Sequence, residues 1–341
     1  MLNPSTWRPA PLPKDMKPQL LVVVDTEEEF DWSEPHNRHA TGVQSIRTQE
    51  RAHKVLDKYG LKPTYLCDFP VAHQEDGYKP LRELYASGVC DIGTHLHPWV
   101  NPPHYEQISA LNSYPGNLPA GLEHEKLKIV TEEITKNFGL RPTIYRAGRY
   151  GVGEATTDAL VDLGYEIDTS VVPRSDFRHD FGPDFRQCGT QPYWFGPDAQ
   201  LLEIPLSVDF VGLLKGGGHG LYGSLTKPLG LKLHLPGIFG RLGLFERIRL
   251  SPEGISFEEM RRLTEVMVAS GHKIFGFTYH SPSLDPGRTP YVQSATDLQA
   301  FLDTFDRYFD YFFSTLGGEP STLRAIGKRL SEQRDTVKEA A

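Results

Sequence analysis

The chain has 341 residues, a formal net charge of −8 and 38% hydrophobic residues, enough for one large domain or two small ones with ample core. Its mild acidic balance excludes a nucleic-acid surface, which needs a concentrated basic face. Three cysteines, Cys67, Cys90 and Cys188, are too few and too odd for a disulfide framework and point to a reducing compartment.

The first twenty residues are polar and proline-rich, without the apolar core of a signal peptide. No run reaches the roughly 18 apolar residues of a membrane span. The expected location is the cytoplasm. The first apolar run, "QLLVVVD", is continuous, as for a strand buried on both faces. "IRTQERAHKVLDKYG" predicts a helix closed by Gly60, "KPTYLCDF" a second strand, "KPLRELYASG" a helix ended by Gly88, and "VCDIGTH" a third strand. After a proline-rich loop from Pro98 to Pro119, "LEHEKLKIVTEEITKNFG" reads as an amphipathic helix stopped by Gly139. "PTIYRAG" and "YEIDTSV" read as strands around the helix "GEATTDALVDLG". "LLEIPLS" and "HKIFGFTYHS" are further strands, separated by the helix "FEEMRRLTEVMVASG"; "ATDLQAFLDTFDRYFDYFFSTLG" and the charged tail close the chain as helices.

Alternation of strand and helix predicts an α/β fold with a parallel sheet and crossover helices, and about seven strand signals favour a closed or nearly closed barrel. The expected organisation is an N-terminal extension over residues 1–18, one barrel domain over 19–318 and a helical tail over 319–341. A Gly- and Leu-rich stretch with interspersed cations, near 213–250, is either an excursion packed on the barrel or a flexible lid that touches lipid.

Functional groups in parallel α/β folds collect at the carboxyl ends of strands. Those ends deliver Asp25 and Glu27, His95 and His97, Arg146 with Tyr150 beyond it, Asp168, and His280. Residues two apart on an extended segment point the same way. Asp25 and Glu27 can therefore share a face, where they repel unless a cation or a proton lies between them. Equally, "EEEFDW" can be a solvated acidic loop. His95 and His97 can offer two imidazole nitrogens to one metal, with a carboxylate completing the set, or form a polar patch at a strand end. Zn²⁺, Mn²⁺, Fe²⁺, Co²⁺ and Ni²⁺ all suit such a donor set. His280 suits a general acid, with Asp168 on its other ring nitrogen, and Arg146 beside a carboxylate would keep it ionised. His36, His39, His53 and His219 read as loop or surface residues. "GVGEAT" is a partial dinucleotide fingerprint in which Thr156 replaces the third glycine. It leaves the strand-end residues unexplained, so no NAD or FAD site is expected.

In order, these strand ends resemble the five motifs of the polysaccharide deacetylases, the NodB-homology group of carbohydrate esterases. The counterparts are "VVDTEEEF", "GTHLHP", "RAGRYG", "IDTSVVP" and "FTYHSPSL", from about Gln19 to Leu284. The resemblance implies a distorted (β/α)7 barrel. Asp25 would be the catalytic base, Glu27, His95 and His97 the ligands of a divalent metal with zinc foremost, and Arg146 the residue that holds the base. The Tyr150 backbone N–H would help form an oxyanion hole, with His280 as the acid and Asp168 as its partner. One residue separates the histidines here where the usual motif has three, and Thr26 stands where many members have a metal-binding aspartate. The implied activity is hydrolysis of an N-acetyl or other acyl amide on a sugar, with an acylated saccharide as partner, a precursor or lipid-linked one given the cytoplasmic expectation. Transient membrane contact belongs to the lipid-linked case. A same-fold amidohydrolase on a small non-sugar amide and a non-catalytic sugar-binding barrel are the rivals.

Overall fold

The computed structural model describes residues 3–339; residues 1–2 of the extension and 340–341 of the tail lie outside the described residues. After a two-residue strand β1 (Arg8–Pro9) come β2 (Gln19–Thr26), α1 (Glu50–Leu56), β3 (Thr64–Cys67), α2 (Phe69–His73), α3 (Glu75–Ala86), β4 (Asp91–Leu96), α4 (Ala120–Phe138), β5 (Ile144–Ala147), α5 (Thr156–Asp162) and β6 (Ile167–Asp168). The second half adds β7 (Tyr193–Phe195), β8 (Leu201–Glu203), β9 (Val208–Val211), α6 (Gly218–Leu225), α7 (Pro228–Lys232), α8 (Leu235–Arg241) and β10 (Glu246–Arg249). It ends with α9 (Phe257–Ala269), β11 (Ile274–His280), α10 (Ala295–Asp310), β12 (Glu319–Pro320) and α11 (Leu323–Glu339). Local chemistry sets several boundaries. Ser256 with Glu259 and Ser294 with Asp297 form capping boxes that start α9 and α10. Gly139 closes α4 at φ 74°, a left-handed turn that costs glycine nothing.

Seven strands run parallel in the order β8-β6-β5-β4-β3-β2-β11, matching the α/β expectation of a parallel sheet with outer helices. β7 and β1 extend the β8 edge antiparallel. Among the described residues no ladder joins β8 to β11; single bonds bridge the seam, from Gly276 N–H to Ser207 Oγ (2.9 Å) and from Thr278 N–H to the Leu250 carbonyl (3.1 Å). The sheet is nevertheless strongly curled. Arg146 on β5 donates to Thr278 on β11 across 3.0 Å, although four strand spacings, about 19 Å if flat, separate those strands.

The pleat sorts the core into two. Leu20, Val22, Val24, Tyr145, Phe275 and Phe277 face the helices in the larger cluster. Leu21, Val23, Ile144, Ile167, Leu202 and Ile274 form an inner cluster, closed by Ala10, Met16, Leu323 and Leu330 of the terminal segments. Following the inner face toward the carboxyl ends, apolar side chains give way to Asp25, His95, Arg146, Thr278 and His280.

Candidate active site

Strand register brings the first groups together. Asp25 lies beside His280 across β2 and β11, and His95 beside Arg146 across β4 and β5. Arg146, fully buried, donates from Nη1 to Asp25 Oδ1 at 2.5 Å and is pinned by the Thr169 carbonyl (2.9 Å) and Thr278 Oγ1 (3.0 Å). Burial alone would raise the Asp25 pKa, but the guanidinium and the nearby imidazoles outweigh it and hold the carboxyl below its ordinary value. Facing it at 3.8 Å is His280 Nε2. The other His280 nitrogen, Nδ1, meets Glu253 Oε2 at 2.7 Å, and Glu253 also accepts from the His280 backbone N–H and from Ser283. Burial pushes the His280 pKa down, yet the Glu253 carboxylate more than compensates and the net shift is upward.

This corrects the expectation for Asp168. Its register partner on β5 is Tyr145, which faces the helices, and not Arg146, which faces inward. Asp168 therefore points away from the cleft, bonds Ser170 and lies against Glu203. The partner of His280 is Glu253, from the loop between β10 and α9.

Beside Asp25 and His280, three buried side chains converge. His95 Nε2 and His97 Nε2 are 3.1 Å apart, and Glu27 Oε2 lies 3.9 and 3.5 Å from them. Bonds of 2.0–2.1 Å to a tetrahedral metal put neighbouring donors about 3.3 Å apart, so the spacings fit one cation. The other carboxylate oxygen, Glu27 Oε1, is buried without a hydrogen-bond partner. The remaining shell fits as well. Glu28 Oε2 takes His97 Nδ1 at 2.8 Å and Glu28 Oε1 accepts from Trp99 Nε1 at 2.8 Å, which turns the His97 Nε2 lone pair toward Glu27 and His95. Burial lowers the His97 pKa to about 4 and the His95 pKa well below its usual value, so both rings are neutral, the form that ligates. In the protein alone, burial and neighbouring carboxylates push the Glu27 pKa well up; a cation at this position would reverse that.

The supports around these groups are specific. A Cβ at Gly148 would meet the Leu96 carbonyl oxygen at 2.3 Å and His97 Cδ2 at 2.5 Å, so only glycine lets β5 end this close to His97. Buried Lys126 on α4 donates to the Pro98, Asn101 and Pro103 carbonyls and pairs with Glu106 at 3.2 Å, fixing the loop that follows His97. Arg149 and Tyr150 both take left-handed φ, 53° and 59°, the kind of backbone strain that collects at functional sites. Arg149 stacks on Tyr114 and pairs with Asp180. Tyr150 turns its hydroxyl to Arg249, which donates to it at 3.1 Å.

The cleft has a volume of about 370 Å³, and its wall includes Asp25, Glu27, His95, His97 and His280 together with Trp32, Trp99, Tyr291 and Arg249. A larger cavity, about 680 Å³, lies between the N-terminal segment and α11. Its wall holds no carboxylate and no histidine, so size alone does not identify a site. Two histidines depart from the surface expectation. His36 stacks on Trp99 at 4.1 Å in the cleft wall, with burial lowering its pKa to about 4, and His53 is buried against Tyr65.

No protein-family profile and no curated protein sequence matches the chain. Among solved structures, a "putative polysaccharide deacetylase" from Mycobacterium smegmatis aligns at a TM-score of 0.54 and 15% identity, over 96% of both chains. A peptidoglycan deacetylase from Bacillus subtilis aligns at 0.43 and 10% identity over 96% of this chain and 97% of that one. A family 4 carbohydrate esterase from Streptomyces lividans aligns at 0.42 and 9% identity over 90% and 93%. The first of these establishes a shared fold along nearly the whole chain.

Proposed function

We propose that the protein is a metal-dependent hydrolase that removes an acyl group, N-acetyl foremost, from an amino sugar. The observation that carries this is one cleft in which the Arg146-bound carboxylate of Asp25 faces a His280 imidazole held by Glu253, beside three convergent buried side chains, Glu27, His95 and His97, that could hold a cation. Glu27, His95 and His97 would hold the metal. When bound, it supplies Lewis acidity, activating a water and polarising the amide carbonyl. Asp25, kept ionised by Arg146, is placed to take a proton from that water. A lower pKa also makes Asp25 a weaker base, so its position contributes more than its basicity. His280 carries the opposite adjustment: Glu253 favours its charged form, and Nε2 is left to protonate the departing amine. The Tyr150 backbone N–H is the proposed donor to the oxyanion; such a donor is typically worth about 3 kcal/mol.

Aromatic walls from Trp32, Trp99 and Tyr291 suit the apolar faces of a sugar ring and favour a saccharide over a small polar amide. A precursor or lipid-linked saccharide is the finer proposal. The same acid–base pair also argues against a purely sugar-binding barrel, since binding needs no imidazole of raised pKa. The test is metal content of the purified protein followed by acetate release from N-acetylated amino sugars. His280→Ala should keep the metal and lose turnover. Protein that takes up no divalent ion at micromolar concentration overturns the proposal.

A further inference from the structure

The excursion between β9 and β10 has a composition unlike the rest of the chain. From Phe210 to Phe245 it carries Lys215, Lys227, Lys232 and Arg241 and no acidic residue, although the whole chain has a net charge of −8. The four positive charges leave the remainder at −12. Its three short helices fold on a small core of their own, where Phe210, Leu225 and Phe245 are buried with Leu221, Tyr222 and Phe239 against them. That core uses only part of the apolar side chains. Leu213, Leu229, Leu231, Leu233, Ile238 and Leu242 point to solvent, at exposures from 44% to 84%. Among the described residues, seven of the twelve exposed large apolar side chains fall between Leu213 and Leu242. Leu233 and Leu242 cap α7 and α8, their backbone N–H groups bonding the Leu229 and Ile238 carbonyls four residues back, so each pair lies along one flank of its helix end.

Exposed aliphatics mixed with cations, and no anion among them, match one surface better than another protein: a bilayer with anionic headgroups, which takes the aliphatic side chains into its interface and the cations at the phosphates. We propose that the excursion from Leu213 to Leu242 docks the protein on an anionic membrane surface. No described helix is long and apolar enough to cross a membrane, so the contact lies in the interface. Its placement is functional. The β9–β10 hairpin roots the excursion, and its last residue, Arg249, lines the cleft about 10 Å along β10 from Glu246, where the strand leaves the excursion. Docking would therefore bring the cleft mouth to the height of headgroup-borne saccharides.

The proposal concerns the excursion and is independent of catalysis, so the His280→Ala protein should bind membranes as the wild type does. The full chain should float with vesicles of equal phosphatidylglycerol and phosphatidylcholine at low salt, and not with phosphatidylcholine alone. At about 1 kcal/mol per basic residue near such a surface, K215E/K227E/K232E/R241E should bind more than about 100-fold more weakly. L229D/L233D, with both positions exposed, loses two aliphatic anchors and adds two negative charges, and should bind at least about 30-fold more weakly with unchanged thermal unfolding. Failure to float with anionic vesicles overturns the proposal, as does flotation untouched by both variants. A dimer in solution that L229D/L233D abolishes, without vesicle binding, would assign the face to a second copy and also overturn it.

Discussion

Glu253→Gln isolates the acid from the rest of the site. Glu253 is buried, and in the protein its Oε2 faces His280 Nδ1 at 2.7 Å while Oε1 accepts from the His280 backbone N–H (2.9 Å) and Ser283 Oγ (2.6 Å). Glutamine can keep the two Oε1 bonds. It presents an amide N–H₂ to Nδ1, which favours the neutral tautomer with its proton on Nε2 and withdraws the charge that stabilises the imidazolium. A hydrogen bond to a charged group is worth about 1.5–3 kcal/mol, so kcat/KM at neutral pH should fall about 10–100-fold. The sign of the pH effect follows. In the proposed mechanism His280 donates a proton, so the rate falls as pH rises through its pKa. Glu253 raises that pKa, and its loss must move the alkaline limb to lower pH. The imidazole can neutralise, so no unpaired buried cation remains and the variant should fold. The assay is the pH profile of acetate release, with metal content measured on the same preparation. An alkaline limb that stays in place while the metal is retained refutes the role of Glu253 and, with it, of His280 as the acid.

Removal of either imidazole donor, His95→Ala or His97→Ala, should abolish divalent-metal uptake measured by elemental analysis; retention in both would dismiss the cation site. Glu28→Gln touches no metal donor atom, yet it should weaken metal affinity about 10–100-fold by releasing the His97 tautomer, as read by chelator competition. Gly148→Ala places a Cβ 2.5 Å from His97 Cδ2 and should displace that ring, lowering metal occupancy in a protein that still folds; full occupancy would contradict the close packing. Lys126→Met removes the ammonium from three carbonyls and leaves the buried Glu106 carboxylate only Arg38, at 3.7 Å; it should destabilise the protein by about 3 kcal/mol in urea unfolding, whereas a cost below about 1 kcal/mol would mean the loop does not depend on the ammonium.

Much of the site is legible in the sequence because its groups share the inward parity at the carboxyl ends of largely apolar strands. Asp25 follows Leu21 and Val23 on the inner face, and His280 follows Ile274, Gly276 and Thr278 there at the same period of two. What escapes is whatever depends on register or on loops. Asp168 sits at a strand end like the others, but pairing with Tyr145 instead of Arg146 turns it outward, and a one-residue offset between neighbouring strands leaves no trace in either segment alone. Glu253 comes from "SPEGIS", a stretch with turn chemistry and no strand end. Glu28 stands in a run of three glutamates that reads as solvated; only alternation marks it as facing opposite to Glu27. Lys126 looks like any cation on an amphipathic helix, and its burial follows from the carbonyls of a loop some 25 residues earlier.

The close spacing of His95 and His97 has a geometric answer. Two residues four apart can aim at one ion from a helical turn, whereas two residues two apart do so from an extended segment. β4 ends at Leu96, so His95 belongs to the ladder and His97 is the first residue beyond it, still extended enough to share its face. Leu96 between them stays in the outer core. The same parity selects the carboxylate: Thr26 turns its hydroxyl back to the Val24 carbonyl at 2.9 Å, while Glu27, two beyond Asp25, reaches inward. The single residue between His95 and His97 and the single residue between Asp25 and Glu27 are therefore consequences of one arrangement, in which strand alternation carries the side chains inward and Glu28, Trp99 and Gly148 fix the ring that lies outside the strand.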